Sequence, residues 1–453
     1  MRSIGICHYK VGGTDGVSLE IDKWKKVLEK MGYEVYLCAG SSGSEEGFLI
    51  EELYHHREDI ERISKNAFFK FIDYANEIEF KEEIYELAKK IENALKSFIK
   101  KRSIDLIIVD NIWSIGANLP AAVALTEVVK DLGIPAIGHH HDFYWERVNN
   151  NAPTCGAAEG IIEHFLPPKN PLIKHVVINS LAQKELFTRK GIESIIVPNV
   201  FEFDGASWTQ DEYNEDFRKA IGIKEKDIIV LQATRVVKRK GIELAIDFVK
   251  EVSRPKYTEK IKKKGLYNGK EFDDDSKIVL VMAGYSEDKT ESYLNLLKKK
   301  VKEEGIEARY ISDIIGASRG LRNGKKIYSL WDTYIFADLV TYPSLHEGWG
   351  NQFLEAIRAR LPIVLFEYDV YKSDIKERGF DVISLGDKIM GRDGRGLVKI
   401  KHESLVESAC RAVDYLTNAH LRAKMVEHNF DLGRRYYSLQ ALEDYLREIF
   451  STH

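Results

Sequence analysis

Short apolar runs separated by longer helical patterns restrict what this chain can fold into more than any other feature. Ser3–His8, Glu34–Cys38, Asp105–Val109, Pro135–Gly138 and His175–Ile178 form a first series of such runs. Ile228–Ala233, Ile278–Ala283, Asp338–Tyr342 and Pro362–Phe366 form a second. Runs this short, alternating with helices, predict parallel sheets covered on both faces, an α/β architecture. Between the first two runs, Val17, Ile21, Trp24, Leu28 and Met31 fall four and three apart, which makes one helical stripe that Gly32 ends.

A chain of 453 residues exceeds one ordinary core, and 44% hydrophobic residues suffice to fill two. The pattern breaks at Val197–Ala206, and a polar stretch from Thr209 to Lys226 follows. This predicts two doubly wound domains, 1–199 and 200–432. The Lys-rich segment Ser253–Ser276 lacks apolar periodicity and is expected to be a solvated excursion. Lys plus Arg at 67 against Asp plus Glu at 71 gives a net charge of -4, which offers no general attraction to nucleic acid or anionic lipid. Cys7, Cys38, Cys155 and Cys410 lie too far apart for a zinc or redox motif. With no leader-like segment and no membrane-length apolar run, the cytoplasm is the expected compartment. Charged residues at 30%, rich in Lys and Glu, match the balance often found in thermophile proteins.

Three segments carry groups suited to an anionic ligand. Val11–Val17, with Gly12 and Gly13, joins a strand to a helix, where small residues let backbone N–H groups and the helix N-terminus face an anion; a purely structural turn fits equally. Thr234–Gly241 places Arg235 and Lys240 at the carboxyl edge of a sheet, where open α/β sheets bind ligands. Lys238 and Arg239 are expected to point to water. Ser344–Glu355 follows a strand and enters a helix near Asn351. Glu347, Gly348, Trp349 and Gly350 then lie on the loop before the helix, suited to a sugar, while Glu355, one turn in, suits ribose hydroxyls. Taken singly, Glu347 reads as a cap and Glu355 as an exposed helix carboxylate.

Gly138–Arg147 contains His139, His140 and His141 in succession. Neighbours in extended chain cannot all address one ion, so no metal site is expected. Beyond it, Asn149–Leu172 has prolines and little periodicity, which suits an acceptor loop or a surface excursion. The amphipathic segment Ile84–Ile99 is expected to pack on the sheet rather than on a membrane.

Glu347 through Glu355 resembles the E-x7-E signature of the retaining glycosyltransferases called group 1, or family 4. Gly12–Gly13, Arg235 to Lys240 ahead of Gly241, and Pro198–Asn199 occur in that family's order, so the resemblance spans nearly the whole chain. It implies the GT-B fold, two Rossmann-like domains facing across a cleft, with residues 433–453 as a C-terminal helix returning to the first domain through the stripe Leu439–Phe450. It also implies that Arg235 and Lys240 clamp the donor diphosphate, Gly12 and Gly13 approach it, with the Gly13 N–H donating, and Glu355 holds the ribose. Glu347 and the loop Gly348–Asn351 would meet the transferred sugar, and His141, ahead of Asp142, would face it from the first domain. No metal or cofactor is implied. The donor implied is a nucleotide-diphosphate sugar, GDP-mannose or UDP-glucose, and the acceptor a sugar or polyol-type hydroxyl compound such as a glycerate glycoside. A sugar phosphorylase, a nucleotide-sugar epimerase or hydrolase, and a non-catalytic carbohydrate-binding module are the rival readings; oligomeric state is left open.

Overall fold

The computed structural model describes residues 2–13, 15–43, 47–146, 152–287 and 290–451. Thr14 of the glycine loop, Arg147, and Asn149–Asn151 of the expected acceptor loop lie outside the described residues. The chain divides into two compact units, Met1–Val200 with Leu439–His453, and Phe201–Ser438. The return to unit 1 comes at Ser438 rather than near 433, because the helix Ala419–Tyr437 runs unbroken across that point.

Unit 1 holds β1 (Ser3–Val11), β2 (Glu34–Ser42), β3 (Phe48–Leu49), β4 (Leu106–Asp110), β5 (Ala136–His140), β6 (Ile173–Val177) and β7 (Ser194–Ile196). They form one parallel sheet in the order β3-β2-β1-β4-β5-β6-β7. Side-chain alternation sends Ile4, Ile6, Leu106 and Ile108 to one face, which the helices Gly16–Lys30 and Leu439–Ser451 cover. Cys7, Tyr9, Ile107 and Val109 take the other face, under Glu77–Arg102 and Leu119–Leu132. Each such aliphatic side chain, once buried, contributes roughly 1.5–3 kcal/mol. Asp15 caps Gly16–Lys30, its side chain accepting from the Ser18 N–H, and Trp24 and Leu28 of the expected stripe are buried.

In Glu77–Arg102 the buried residues include Ile84, Leu87, Ile91, Leu95 and Phe98, so its apolar face lies within the core. Among the described residues no helix is long and apolar enough to cross a membrane. The segment after Asn151 is not irregular as expected: Gly156–Phe165 is a helix that buries Ile161, Ile162 and Phe165. With Ala158 these make four core residues at helical spacing, a stripe of two turns that holds the helix.

Unit 2 holds β8 (Ile228–Gln232), β9 (Ile278–Met282), β10 (Glu307–Tyr310), β11 (Ile315–Gly316), β12 (Gly320–Arg322), β13 (Lys325–Ser329), β14 (Leu339–Tyr342), β15 (Ile363–Leu365), β16 (Ile383–Ser384), β17 (Gly391–Arg392) and β18 (Val398–Lys399). Its main sheet is again parallel, ordered β10-β9-β8-β14-β15-β16. The Lys-rich segment expected to be a solvated excursion contains the helix Pro255–Lys264, with Tyr257 and Ile261 buried and Leu266 and Phe272 packed beyond it. Pro255 suits a first helical turn, and two apolar residues four apart anchor a helix whose other faces are mostly Lys and Glu. Both units are doubly wound, Rossmann-like α/β folds.

Candidate functional site

In an open α/β sheet, a crevice forms at the carboxyl ends of neighbouring strands whose connections run in opposite directions. Unit 2 has that arrangement between β8 and β14. The chain leaving β8 carries Arg235 and the one-turn segment Lys238–Lys240; the chain leaving β14 carries Ser344–Gly350. Two segments far apart in sequence thus share one sheet edge.

Gly241 locks them together. Its φ of +57° is in the left-handed region, and a Cβ there would lie 2.4 Å from the Pro343 carbonyl oxygen. The Leu345 N–H donates to the Arg239 carbonyl at 2.8 Å. Side chains follow the backbone: Lys240 Nζ bonds Glu347 Oε1, and Arg239 Nη1 donates to Glu347 Oε2 at 2.8 Å. Arg239 therefore does not point only to water, because the backbone bond to Leu345 turns its side chain toward the loop. Glu347 is 8% exposed and Lys240 equally so. Burial pushes the Glu347 carboxyl up, but the neighbouring Lys240 and Arg239 outweigh it and keep the carboxyl below its ordinary range. Burial lowers the Lys240 ammonium, and Glu347 restores it only in part against Arg239 and Arg235. Glu347 is thus a buried anion between two cations and no mere cap. Arg235, half-exposed, pairs with Glu287.

Beneath the loop, the Tyr368 hydroxyl donates to the Trp349 carbonyl at 2.7 Å, and Trp349 meets Tyr437 edge to face. Gly350, at φ +136°, leaves room for that hydroxyl, which a Cβ would approach to 2.3 Å. The helix Asn351–Arg358 begins here without a side-chain cap, so its N-terminal dipole faces the same edge. Glu355 is half-buried and not simply exposed; its Oε2 accepts from the Tyr334 hydroxyl at 2.6 Å. Tyr334 is fully buried on the helix Leu330–Ile335, a supporting residue that sequence reasoning missed.

Unit 1 has its own switch between β1 and β4. Gly12 and Gly13 follow β1, Asp110 ends β4, and His139–His141 straddle the end of β5. His139 Nδ1 lies 2.9 Å from Asp110 Oδ2, and His141 Nε2 lies 3.4 Å from Asp110 Oδ1. His140 faces away: its Nε2 is 2.9 Å from His175 Nδ1, while His175 Nε2 bonds the Pro168 carbonyl. A carbonyl only accepts, so His175 carries its proton on Nε2, His140 donates to Nδ1, and both rings are neutral. Burial drives His175 down to about 4 and His140 well below its ordinary value. Extended backbone does turn His140 from its neighbours, but it leaves His139 and His141 on one side, where Asp110 joins them. Donor atoms of these three lie within 4.8 Å of one another, the group among the described residues that could receive a metal ion. An acidic residue ending an apolar strand beside the switch was the signal for Asp110, and sequence reasoning passed over it.

The model of the glycosyl transferases group 1 family matches residues 214–380, which include Arg235, Lys240, Glu347 and Glu355. The chain is 41% identical over 437 residues to the mannosylglucosylglycerate synthase of Petrotoga mobilis, covering 96% of this chain and 98% of that one. To the enzyme of the same name from Thermotoga maritima it is 39% identical over 451 residues, covering 98% and 99%. In fold it is similar to Anabaena Alr3699/HepE, solved with UDP and glucose, with a TM-score of 0.59 at 14% identity over 100% of both chains. The fold is therefore GT-B, and the chain belongs to the group 1 glycosyltransferases.

Proposed function

We propose that the chain is a retaining hexosyltransferase that moves a mannosyl group from GDP-mannose, or a glucosyl group from UDP-glucose, onto a small hydroxyl acceptor such as a glycerate glycoside. The observation that carries this reading is the meeting of Lys240 and Arg239 on Glu347 at the β8/β14 edge. Cations gathered beside an uncapped helix N-terminus suit a diphosphate whose charge grows as the glycosyl bond breaks. The full-length likeness to two proteins named mannosylglucosylglycerate synthase supports a mannosyl group as the first choice and a glucosyl glycerate as acceptor.

In this reading Arg235 and Lys240 hold the diphosphate, with backbone amides of Gly12 and Gly13 approaching it. Glu355, steadied by Tyr334, takes the ribose hydroxyls. Glu347 and the Gly348–Asn351 loop orient the hexose, and His141 faces it. The bond from the anomeric carbon to the phosphate oxygen breaks while the acceptor oxygen bonds the same face. The acceptor proton passes to the departing phosphate, so no protein nucleophile, metal or cofactor is required.

The test is to supply GDP-mannose or UDP-glucose with glucosylglycerate and follow nucleoside diphosphate release and product by NMR. A glycoside that keeps the donor's anomeric configuration is expected. Sugar 1-phosphate formed only with free phosphate would point to a phosphorylase, and donor consumption without acceptor to an epimerase or hydrolase; either overturns the reading.

A further inference from the structure

Asp110 is 2% exposed, and among the described residues the side chains that reach its carboxylate are those of His139 and His141. An ionised carboxylate taken out of water costs several kcal/mol unless a cation answers it. Among the described side chains, the two histidines are the ones placed to supply that charge.

His139 is the poorer choice. Its ring stacks on Trp24 with centroids 4.3 Å apart, and its Nε2 is buried without a hydrogen-bond partner. A second proton there has nowhere to donate, and Nδ1 already bonds Asp110 Oδ2 in the neutral ring. His141 differs. Its Nε2 and Asp110 Oδ1 are both buried without a hydrogen-bond partner and lie 3.4 Å apart, within ion-pair reach, so a charge on this ring answers the carboxylate oxygen that His139 leaves unpartnered. The His141 backbone N–H donates to Asn111 Oδ1 at 2.8 Å, so the end of β4 fixes both the main chain and the ring.

We infer that Asp110 is a positioning residue that holds His141 as an imidazolium toward the donor sugar, an inference that rests on the hexosyltransferase reading above. With Nε2 committed to Asp110, a doubly protonated ring donates through Nδ1 as well. The sugar hydroxyl it meets must then accept, and the polarity of that contact is set from β4.

The charged surroundings agree. Burial opposes the His141 charge, but Asp110, then Glu20 of the helix Gly16–Lys30 and Asp142 beside it, raise its pKa above the ordinary histidine value. Against them stand His139 on β5 and His8 on β1; both rings are pulled down by burial, and His8 Nδ1 bonds the Asp110 carbonyl at 2.8 Å. Lys23 pairs with Glu20 at 2.7 Å.

The experiment is a histidine-selective NMR titration of the full chain, with the His141 resonance assigned as the one lost in His141→Asn. A wild-type midpoint above about 6.5 is expected, falling by at least about one unit in Asp110→Asn. The pH profile of kcat/KM should follow: activity lost as His141 deprotonates at high pH, with that limb displaced to lower pH in Asp110→Asn and activity above it down about tenfold per unit. A wild-type midpoint below the ordinary value overturns the inference without any variant, even should Asp110→Asn fail to fold. So does stoichiometric zinc in the purified protein that is lost in His141→Asn, since the metal then replaces the proton. Transfer of no hexosyl group from any donor overturns the functional reading instead, while the titration still reads the ion pair.

Discussion

Arg239 donates to one carboxylate oxygen of Glu347 at 2.8 Å while the adjacent Lys240 takes the other, so one buried anion occupies two cations. Glu347 thereby competes with any phosphate for those cations. Replacing Glu347 by Gln removes the competing charge and keeps the shape. Binding of GDP or UDP should tighten about tenfold, the equivalent of one charge-assisted hydrogen bond of about 1.5 kcal/mol, while hexosyl transfer falls. Calorimetry reads the first and turnover the second; weaker nucleotide binding in Glu347→Gln would refute the competition.

Lys240→Ala leaves Glu347 with the half-exposed Arg239 alone. Breaking a buried pair costs up to about 3–5 kcal/mol, whereas truncating Arg239 and keeping Lys240 should cost about 1 kcal/mol or less. Denaturant unfolding should therefore show Lys240→Ala well below Arg239→Ala in stability. Adding Glu347→Gln to Lys240→Ala should recover most of the loss, and additive losses would show that the pair is not coupled.

Tyr334 touches Glu355 through a single hydroxyl at 2.6 Å. Tyr334→Phe leaves the ring packing and frees the carboxylate. In the proposed arrangement, affinity for a nucleoside diphosphate should fall about tenfold, with inorganic pyrophosphate, which has no ribose, unaffected. Equal losses for both ligands would detach Glu355 from the ribose.

The buried pair His140 and His175 makes stability depend on pH. Both pKa values are depressed by burial, so the unfolded chain takes up protons first as pH falls below about 6.5, and stability present above that value is lost toward about 4. From pH 7 to 5, His175 alone should remove roughly 2 kcal/mol. The raised pKa of His141 works in the opposite sense, its contribution being complete below the ordinary histidine value and lost as pH rises through the raised one. Urea unfolding at pH 7 and 5 checks the balance; a chain equally stable at both would contradict it.

The central strands were legible because each is a short apolar run buried on both faces. β3, β11 and β12 were not, since two or three residues carry no period. The helices Gly156–Phe165 and Pro255–Lys264 escaped because their apolar stripes, Ala158 to Phe165 and Tyr257 to Ile261, span about two turns or fewer. Glu347, Glu355 and Lys240 were visible as chemistry next to a predicted strand end. Arg239 was misjudged because a backbone bond between segments about a hundred residues apart decides where it points. Tyr334 acts only through Glu355, which the fold brings to it and no local spacing announces, whereas Asp110 had its place at a strand end as a signal and lacked only its partners on β5.

The Phe201 N–H donates to the Tyr437 carbonyl at 2.7 Å, which fastens the two ends of unit 2 to each other. Unit 2 is thus a closed insert within a host whose core includes Leu442, Leu446 and Ile449. On the ribosome the insert has all its residues before the host does, and the face of the first sheet that Gly16–Lys30 covers in part stays unfinished until Leu439–Ser451 emerges. Birth order along the chain and completion order of the two cores are reversed.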